Sequence, residues 1–230
     1  MMVLSCDTST GVLHLALSRI EGGQHTWFET LSLSAGNRHS EVLMDKILGL
    51  CTDAGIALAD LDLLVTTAGP GSFTGLRISM ATLKGISMAA SIPLVSVPTL
   101  DVWYAGLEDL SEAVLVAIDA KKQRFYVALY QQGERLVGPA DLTIEEISAL
   151  ITAYPDLLIT GADGPLLLTR LKCSRPLLPC EGTALALSLA RMGVNQYLTQ
   201  GADAPDSGPF YIRKSDAELA LLQHNRVKEK

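Results

Sequence analysis

Two short segments and one isolated carboxylate hold most of the residues in this chain that could do chemistry. The first segment is the turn Asp7-Thr8-Ser9-Thr10-Gly11, between an apolar start and an alternating stretch. A carboxylate at a strand end can hold a metal ion, and backbone amides in the turn after it can approach a phosphate. That approach normally uses a glycine inside the turn. Here the interior is Thr8-Ser9, and glycine comes only at position 11. The same side chains would equally satisfy the turn by local hydrogen bonds. The second segment is GPGSFTGLR, Gly69 to Arg77. It follows an apolar run and opens a helix, where free amides could bind an anion. It lacks the lysine of G-x-x-x-x-G-K-[ST] and is not G-x-G-x-x-G. The isolated carboxylate, Asp119, follows a strand and could support a phosphate, although Asp is common at hairpin turns.

The remaining inventory is thin. His14, His25, His39 and His224 include no i, i+4 pair and no H-E-x-x-H, so no metal site is expected. There is no G-x-S-x-G nucleophile elbow, and no catalytic residue is assigned. Cys6, Cys51, Cys173 and Cys180 form no C-x-x-C, which reads as thiols of a reducing compartment and hence a cytoplasmic location. Asp7 interrupts the apolar N-terminus before a signal peptide could form. No run approaches the roughly 20 apolar residues of a membrane helix. The net charge is −7 and aromatics make up 5% of residues. Both weigh against a chain that grips nucleic acid by itself, so contact with RNA is expected to pass through another protein. The short stretch Lys121, Lys122, Arg124 is the one basic cluster in this reading.

The elements that must position these residues follow from periodicity. Val3 to Ser5, the alternation Leu13, Leu15, Leu17, and Trp27 to Leu33 predict a three-stranded antiparallel meander. From Ser40, a plausible N-cap, the period turns helical through Val42, Leu43, Ile47, Leu50 and Cys51, with Gly55 as the stop. Leu63 to Thr67 reads as a buried strand, 72–90 as a helix, Pro93 to Val97 as a strand, and Thr99 as the start of another helix. Strands at 113–117, 125–130 and 157–160 and helices at 144–154 and 184–192 follow, with a charged helix from Asp216. The second half loosely echoes the first, which suggests two related half-domains. The expected class is α/β, with mixed sheets flanked by helices. Helix 72–90 contains Gly75 and Gly85, each costing about 1 kcal/mol in helix propensity relative to Ala. Close approach of another helix, in this chain or in a partner, would offset that cost.

Several of these segments together resemble the bacterial TsaB (YeaZ) family. They are Leu4 to Thr10, Arg38-His39-Ser40-Glu41, Gly69 to Arg77, Pro93 to Leu100, Ala117 to Lys121, and Pro209-Phe210-Tyr211-Ile212-Arg213. The resemblance covers essentially the whole chain, and GPGSFTGLR is its most specific element. It implies a two-lobed actin-like, sugar-kinase-like (ribonuclease H-like) fold. Residues 1–100 would form the N-terminal lobe, completed by a C-terminal helix 214–230, and 101–213 a smaller second lobe. It also implies a degenerate, non-catalytic paralogue of TsaD that acts with TsaD and TsaE in threonylcarbamoyl transfer to the tRNA adenosine beside the anticodon. Pairing with TsaD would run through the first two helices. His39, Leu43, Ile47, Phe73, Gly75, Leu76, Ser79, Leu83, Gly85 and Ile86 are the expected contact residues, and the same face would allow a homodimer in isolation. No cofactor is required, although Asp7, Thr8, Ser9 and Asp119 would be the remnant of a nucleotide site with weak ADP or ATP binding. Thr99 and Trp103 fall where the H-x-x-x-H ligands of TsaD would stand. The rival reading is an enzyme, metallopeptidase-like or ATP-dependent.

Overall fold

The computed structural model describes residues 1–179 and 182–213. Strands β1 (Met2–Asp7), β2 (Val12–Glu21) and β3 (Gln24–Ser34) form the antiparallel meander. Helix α1 (His39–Asp53) leads to β4 (Leu63–Gly69), helix α2 (Phe73–Ala90) crosses to β5 (Leu94–Pro98), and α3 (Thr99–Tyr104) follows. The sheet order is β3-β2-β1-β4-β5, with β1, β4 and β5 parallel. Every residue of β1 is buried, as a central strand covered on both faces requires. Its even positions, Leu4 and Cys6, join Leu13, Leu15 and Leu17 of β2 in a core closed by α1 and α2. Val3, on the opposite face, joins Val65 and Val95 under helix α6 (Gly182–Gln200). Helix α1 begins two residues earlier than the Ser40 cap predicts, with Arg38 at the N-cap position.

The second half repeats the plan. Strands β6 (Val114–Asp119), β7 (Arg124–Gln131) and β8 (Glu134–Thr143) make a second antiparallel meander. Helix α4 (Ile144–Ala153) leads to β9 (Leu158–Thr160), parallel to β6, and α5 (Gly164–Leu171) follows. Helix α4 opens on a capping box: the Thr143 hydroxyl accepts from the Glu146 amide, and the Glu146 carboxylate accepts from the Thr143 amide. The order is β8-β7-β6-β9. Strand β8 was not anticipated. It is an outer strand interrupted by Gly138-Pro139, a pair tolerated at a sheet edge but absent from strand periodicity. Two meander-plus-parallel-strand sheets with flanking helices make the actin-like, ribonuclease H-like fold expected from the sequence.

The expected lobe boundary needs correction. Helix α6 lies within 101–213 yet packs across all five strands of the first sheet. Its Gly193 lies so close to Val65 that a Cβ there would overlap that side chain. Residues 201–212 also run along the first lobe, with the Asp203 amide bonded to the Leu94 carbonyl and the Phe210 amide to that of Ala68. The first lobe is therefore completed by α6 and the segment after it; the 214–230 helix lies outside the described residues. The lobes share one apolar core in which Trp103 and Tyr104 of α3 join Val116 and Tyr130 of the second sheet. Among the described residues, no helix is long and apolar enough to cross a membrane.

Candidate functional site

The Asp7 turn ends β1, beside the parallel end of β4. One carboxylate oxygen of Asp7 accepts from the Ser9 amide at 2.8 Å and from the Thr67 hydroxyl at 2.7 Å. The other is buried and has no hydrogen-bond partner among the described residues. The Thr8 hydroxyl donates to the Gly75 carbonyl at 2.7 Å, and the Ser72 amide donates to the Ser9 carbonyl at 2.7 Å. A Cβ at Gly75 would overlap the Thr8 carbonyl oxygen, and one at Gly71 would overlap Ser9. The glycines absent from the first turn are thus supplied by the second segment. The close approach they permit is between two loops of this chain. Asp7 and Thr8 are fully buried, which corrects their assignment as nucleotide contacts.

A cleft of about 640 Å³ opens between the lobes beside this knot. Ser9 to Val12 and Gly71 to Thr74 line one side, Asp119 to Lys121 and Asp163 the other, with Arg213 among its walls. Of the four expected nucleotide residues, Ser9 and Asp119 reach it. Asp119 accepts from the Lys121 amide at 2.8 Å and pairs with the Lys121 ammonium at 2.7 Å. Its own amide donates to Asp163 at 2.8 Å. Burial pushes the Asp163 carboxyl up, the Asp119 charge adds to this, and the Asp119 amide opposes it. Lys121 is held protonated to higher pH chiefly by its hydrogen bond to Asp119. Lys121, Lys122 and Gln123 all have positive φ, a conformation that disfavours residues with a Cβ; the Asp119–Lys121 contacts brace that turn. Both cations of the lining are therefore committed, Lys121 to Asp119 and Arg213 to Asp141 at 3.6 Å. An anion entering the cleft would compete with carboxylates already in place.

The expected metal-ligand positions of α3 serve the fold. Thr99 is buried, and its hydroxyl accepts from the Gly69 amide at 3.0 Å. Trp103 belongs to the shared core. Among the described residues, no three or more His, Cys, Asp or Glu side chains are placed to hold a metal ion.

Helices α1 and α2 are amphipathic, and most of the expected partner contacts lie on their inner faces. His39, Leu43, Ile47, Leu76, Ser79, Leu83 and Ile86 are buried within the subunit, and Ser79 accepts from the Thr66 hydroxyl at 3.0 Å. Gly75 faces Thr8, and half-buried Phe73 stacks on Tyr211 at 4.8 Å between ring centroids. The seven buried assignments are corrected by one cause, since the apolar stripe of a surface helix faces its own core first; Gly75 and Phe73 are engaged by Thr8 and Tyr211. Gly85 is different, for it is exposed and nothing lies within 4 Å of where its Cβ would stand. Its neighbours at helical spacing form an outward row of Thr74, Arg77, Ala81, Gly85 and Met88, the last 84% exposed. On α1, Met44 and Leu48 face outward at 38% and 44% exposure, beside Gly49. Sequence reading missed Met44, Leu48 and Met88. Counting i±3 and i±4 from Gly85 leads to Ala81 and Met88.

Residues 33–159, more than half of the chain, match the family model described as TsaD: tRNA N6-adenosine threonylcarbamoyltransferase. An uncharacterized protein of Mycobacterium tuberculosis is 34% identical over 220 residues, covering 94% of this chain and 93% of that protein. The tRNA threonylcarbamoyladenosine biosynthesis protein TsaB of Escherichia coli is 32% identical over 136 residues, 58% of this chain and 57% of that one. The solved structure of YeaZ from Pseudomonas aeruginosa superposes with a TM-score of 0.69 at 29% identity, covering 91% of this chain and 99% of that one. Fold and family match together define the class, that of two-lobed actin-like proteins related to TsaD. Within that class, the chain belongs to the TsaB (YeaZ) family.

Proposed function

We propose that this chain takes part in making threonylcarbamoyladenosine on tRNA in the cytoplasm, as a docking partner and activator of a TsaD-type transferase acting with TsaE. It does not itself perform the transfer. The names of its TsaB relatives support the pathway. The observation that carries the partner role is the outward face of α1 and α2. Met44, Leu48 and Met88 present exposed apolar side chains, and the small Ala81 and Gly85 leave a strip where another helix can approach closely. Gly85 costs its exposed helix about 1 kcal/mol relative to Ala, and no contact among the described residues requires it. A docked helix would supply that requirement. Any nucleotide in the cleft would bind weakly, since it must displace Asp119 from Lys121. With a net charge of −7, tRNA would be gripped through the transferase. The same outward face would allow the isolated chain to pair with itself.

Co-purification with the TsaD-type partner tests this. Gly85→Leu and Met88→Asp should leave the circular dichroism spectrum of the chain unchanged while weakening pairing. The expected loss is about 2 kcal/mol or more, roughly thirtyfold in affinity. Pairing at undiminished affinity by both variants would remove the outward face from the interface.

A further inference from the structure

The segment after α6 is bound to the first lobe almost residue by residue before it reaches the second. The Asp203 carboxylate accepts from the Ser96 amide at 2.9 Å and from its hydroxyl at 2.5 Å, covering the free edge of β5. The Lys84 ammonium donates to the carbonyls of Pro205, at 2.8 Å, and Ser207. The Phe210 amide bonds Ala68, and its carbonyl oxygen lies where a Cβ on Gly69 would be, so this crossing admits only glycine at position 69. Tyr211 is then clamped at the start of α2. Its ring stacks on Phe73, its hydroxyl accepts from the Arg77 Nε at 2.9 Å, and the Arg77 guanidinium lies 3.9 Å from the Phe73 ring centroid. Two residues on, Arg213 leaves the first lobe. It donates to the Ala120 carbonyl at 3.0 Å and stands 3.6 Å from the Asp141 carboxylate, which Arg124 also holds at 2.9 Å.

This arrangement joins the lobes in two unlike ways. Behind the cleft they share a continuous apolar core through α3 and α6, and such packing yields only as a unit. Across the cleft itself, the tie among the described residues is polar and partly solvated, and a guanidinium on a strap fixed to the other lobe makes it. Arg213 is 26% exposed and Asp141 14%, so water and salt reach the pair. We propose that residues 203–213 are a latch, in which Arg213 holds the second lobe closed over the cleft and the shared core acts as its hinge. Because Arg77 belongs both to the Tyr211 clamp and to the outward row of α2, a protein seated on that row would touch the anchor of the latch. The latch itself does not depend on the partner reading.

Pulsed dipolar spectroscopy on the full chain tests it. Nitroxides would be attached at Thr26→Cys in the first lobe and Glu145→Cys in the second, with Cys173 and Cys180 replaced by serine and excess unlabelled chain added to suppress intermolecular signals. Arg213→Gln should broaden the interlobe distance distribution toward longer values, with an unchanged circular dichroism spectrum. Asp141→Asn should move it in the same direction. Molar salt should broaden the distribution of the otherwise unchanged chain and leave that of Arg213→Gln as it is. Superimposable distributions with and without the Arg213 side chain would overturn the latch, as would salt broadening of equal size in both.

Discussion

The interlobe cleft and the outward face of α2 begin within a few residues of each other, yet they use their groups in opposite ways. At the cleft, several of the groups that could meet a ligand are engaged by the fold. The Thr8 hydroxyl is bound to the Gly75 carbonyl and the Ser9 carbonyl to the Ser72 amide, Asp119 is paired with Lys121, and Arg213 is drawn to Asp141. On the outward face, Ala81, Gly85 and Met88 are exposed, and among the described residues nothing lies within 4 Å of where a Cβ on Gly85 would stand. The difference shows that a motif read as a phosphate loop can be kept for its shape. Gly71 and Gly75 let two loops approach, and the helix they launch leaves its other side exposed.

The two glycines of α2 give the largest expected contrast. Gly75→Ala should destabilise the chain by about 3 kcal/mol, because a Cβ would meet the Thr8 backbone, which has no rotamer to yield. Gly85→Ala should stabilise the isolated chain by up to about 1 kcal/mol, since only propensity changes. Chemical denaturation of the two variants measures both, and equal effects would erase the distinction between an inner and an outer glycine. Next in size is the loss of partner pairing expected for Met88→Asp, set against retained pairing for Asp119→Asn at the cleft.

A smaller effect concerns the β1–β2 pair, on the side that meets the start of α6. His14 lies directly across from Asp7 in the β1–β2 pair, and its Nδ1 is 2.9 Å from the Ser32 hydroxyl. Burial lowers its pKa from the usual 6.5, against the pull of the Asp7 charge. Above pH 6.5 the imidazole is neutral whether the chain is folded or not, and its contribution to stability is fully present. As pH falls through 6.5 the unfolded chain takes up a proton that the folded chain resists, so stability declines until the folded value is passed. Thermal melts should show Tm dropping with pH below 6.5, and His14→Gln should flatten part of that slope. An unchanged slope would mean that this histidine takes up its proton over the same pH range in the folded and the unfolded chain.

Much of this was legible in the sequence, and what was not has physical causes. The meander, α1, α2 and the parallel strands follow from alternation changing to helical period, and the buried β1 shows as a mostly apolar stretch that ends at Asp7. The edge strand β8 was hidden because a one-sided strand with Gly138-Pro139 lacks period 2. The role of α6 was hidden because periodicity shows that a helix has an apolar side and says nothing about which sheet it covers. The same gap misplaced the contact residues. Leu43, Ile47 and Leu83 carry the hydrophobic signal because they form the core, whereas Gly85 and Met88 look like weaknesses in a helix until their exposure is known. Asp7 kept the appearance of a ligand residue because sequence cannot report that Thr67 and Ser9 had already taken one of its oxygens.

The most direct measurement is reconstituted tRNA modification by a TsaD-type transferase and TsaE, supplemented with the unaltered chain, with Met88→Asp or with Asp119→Asn. Activity that requires the chain, is lost with Met88→Asp and is retained with Asp119→Asn is the result expected of a docking partner. Loss with Asp119→Asn and retention with Met88→Asp would contradict it and return the chemistry to the cleft.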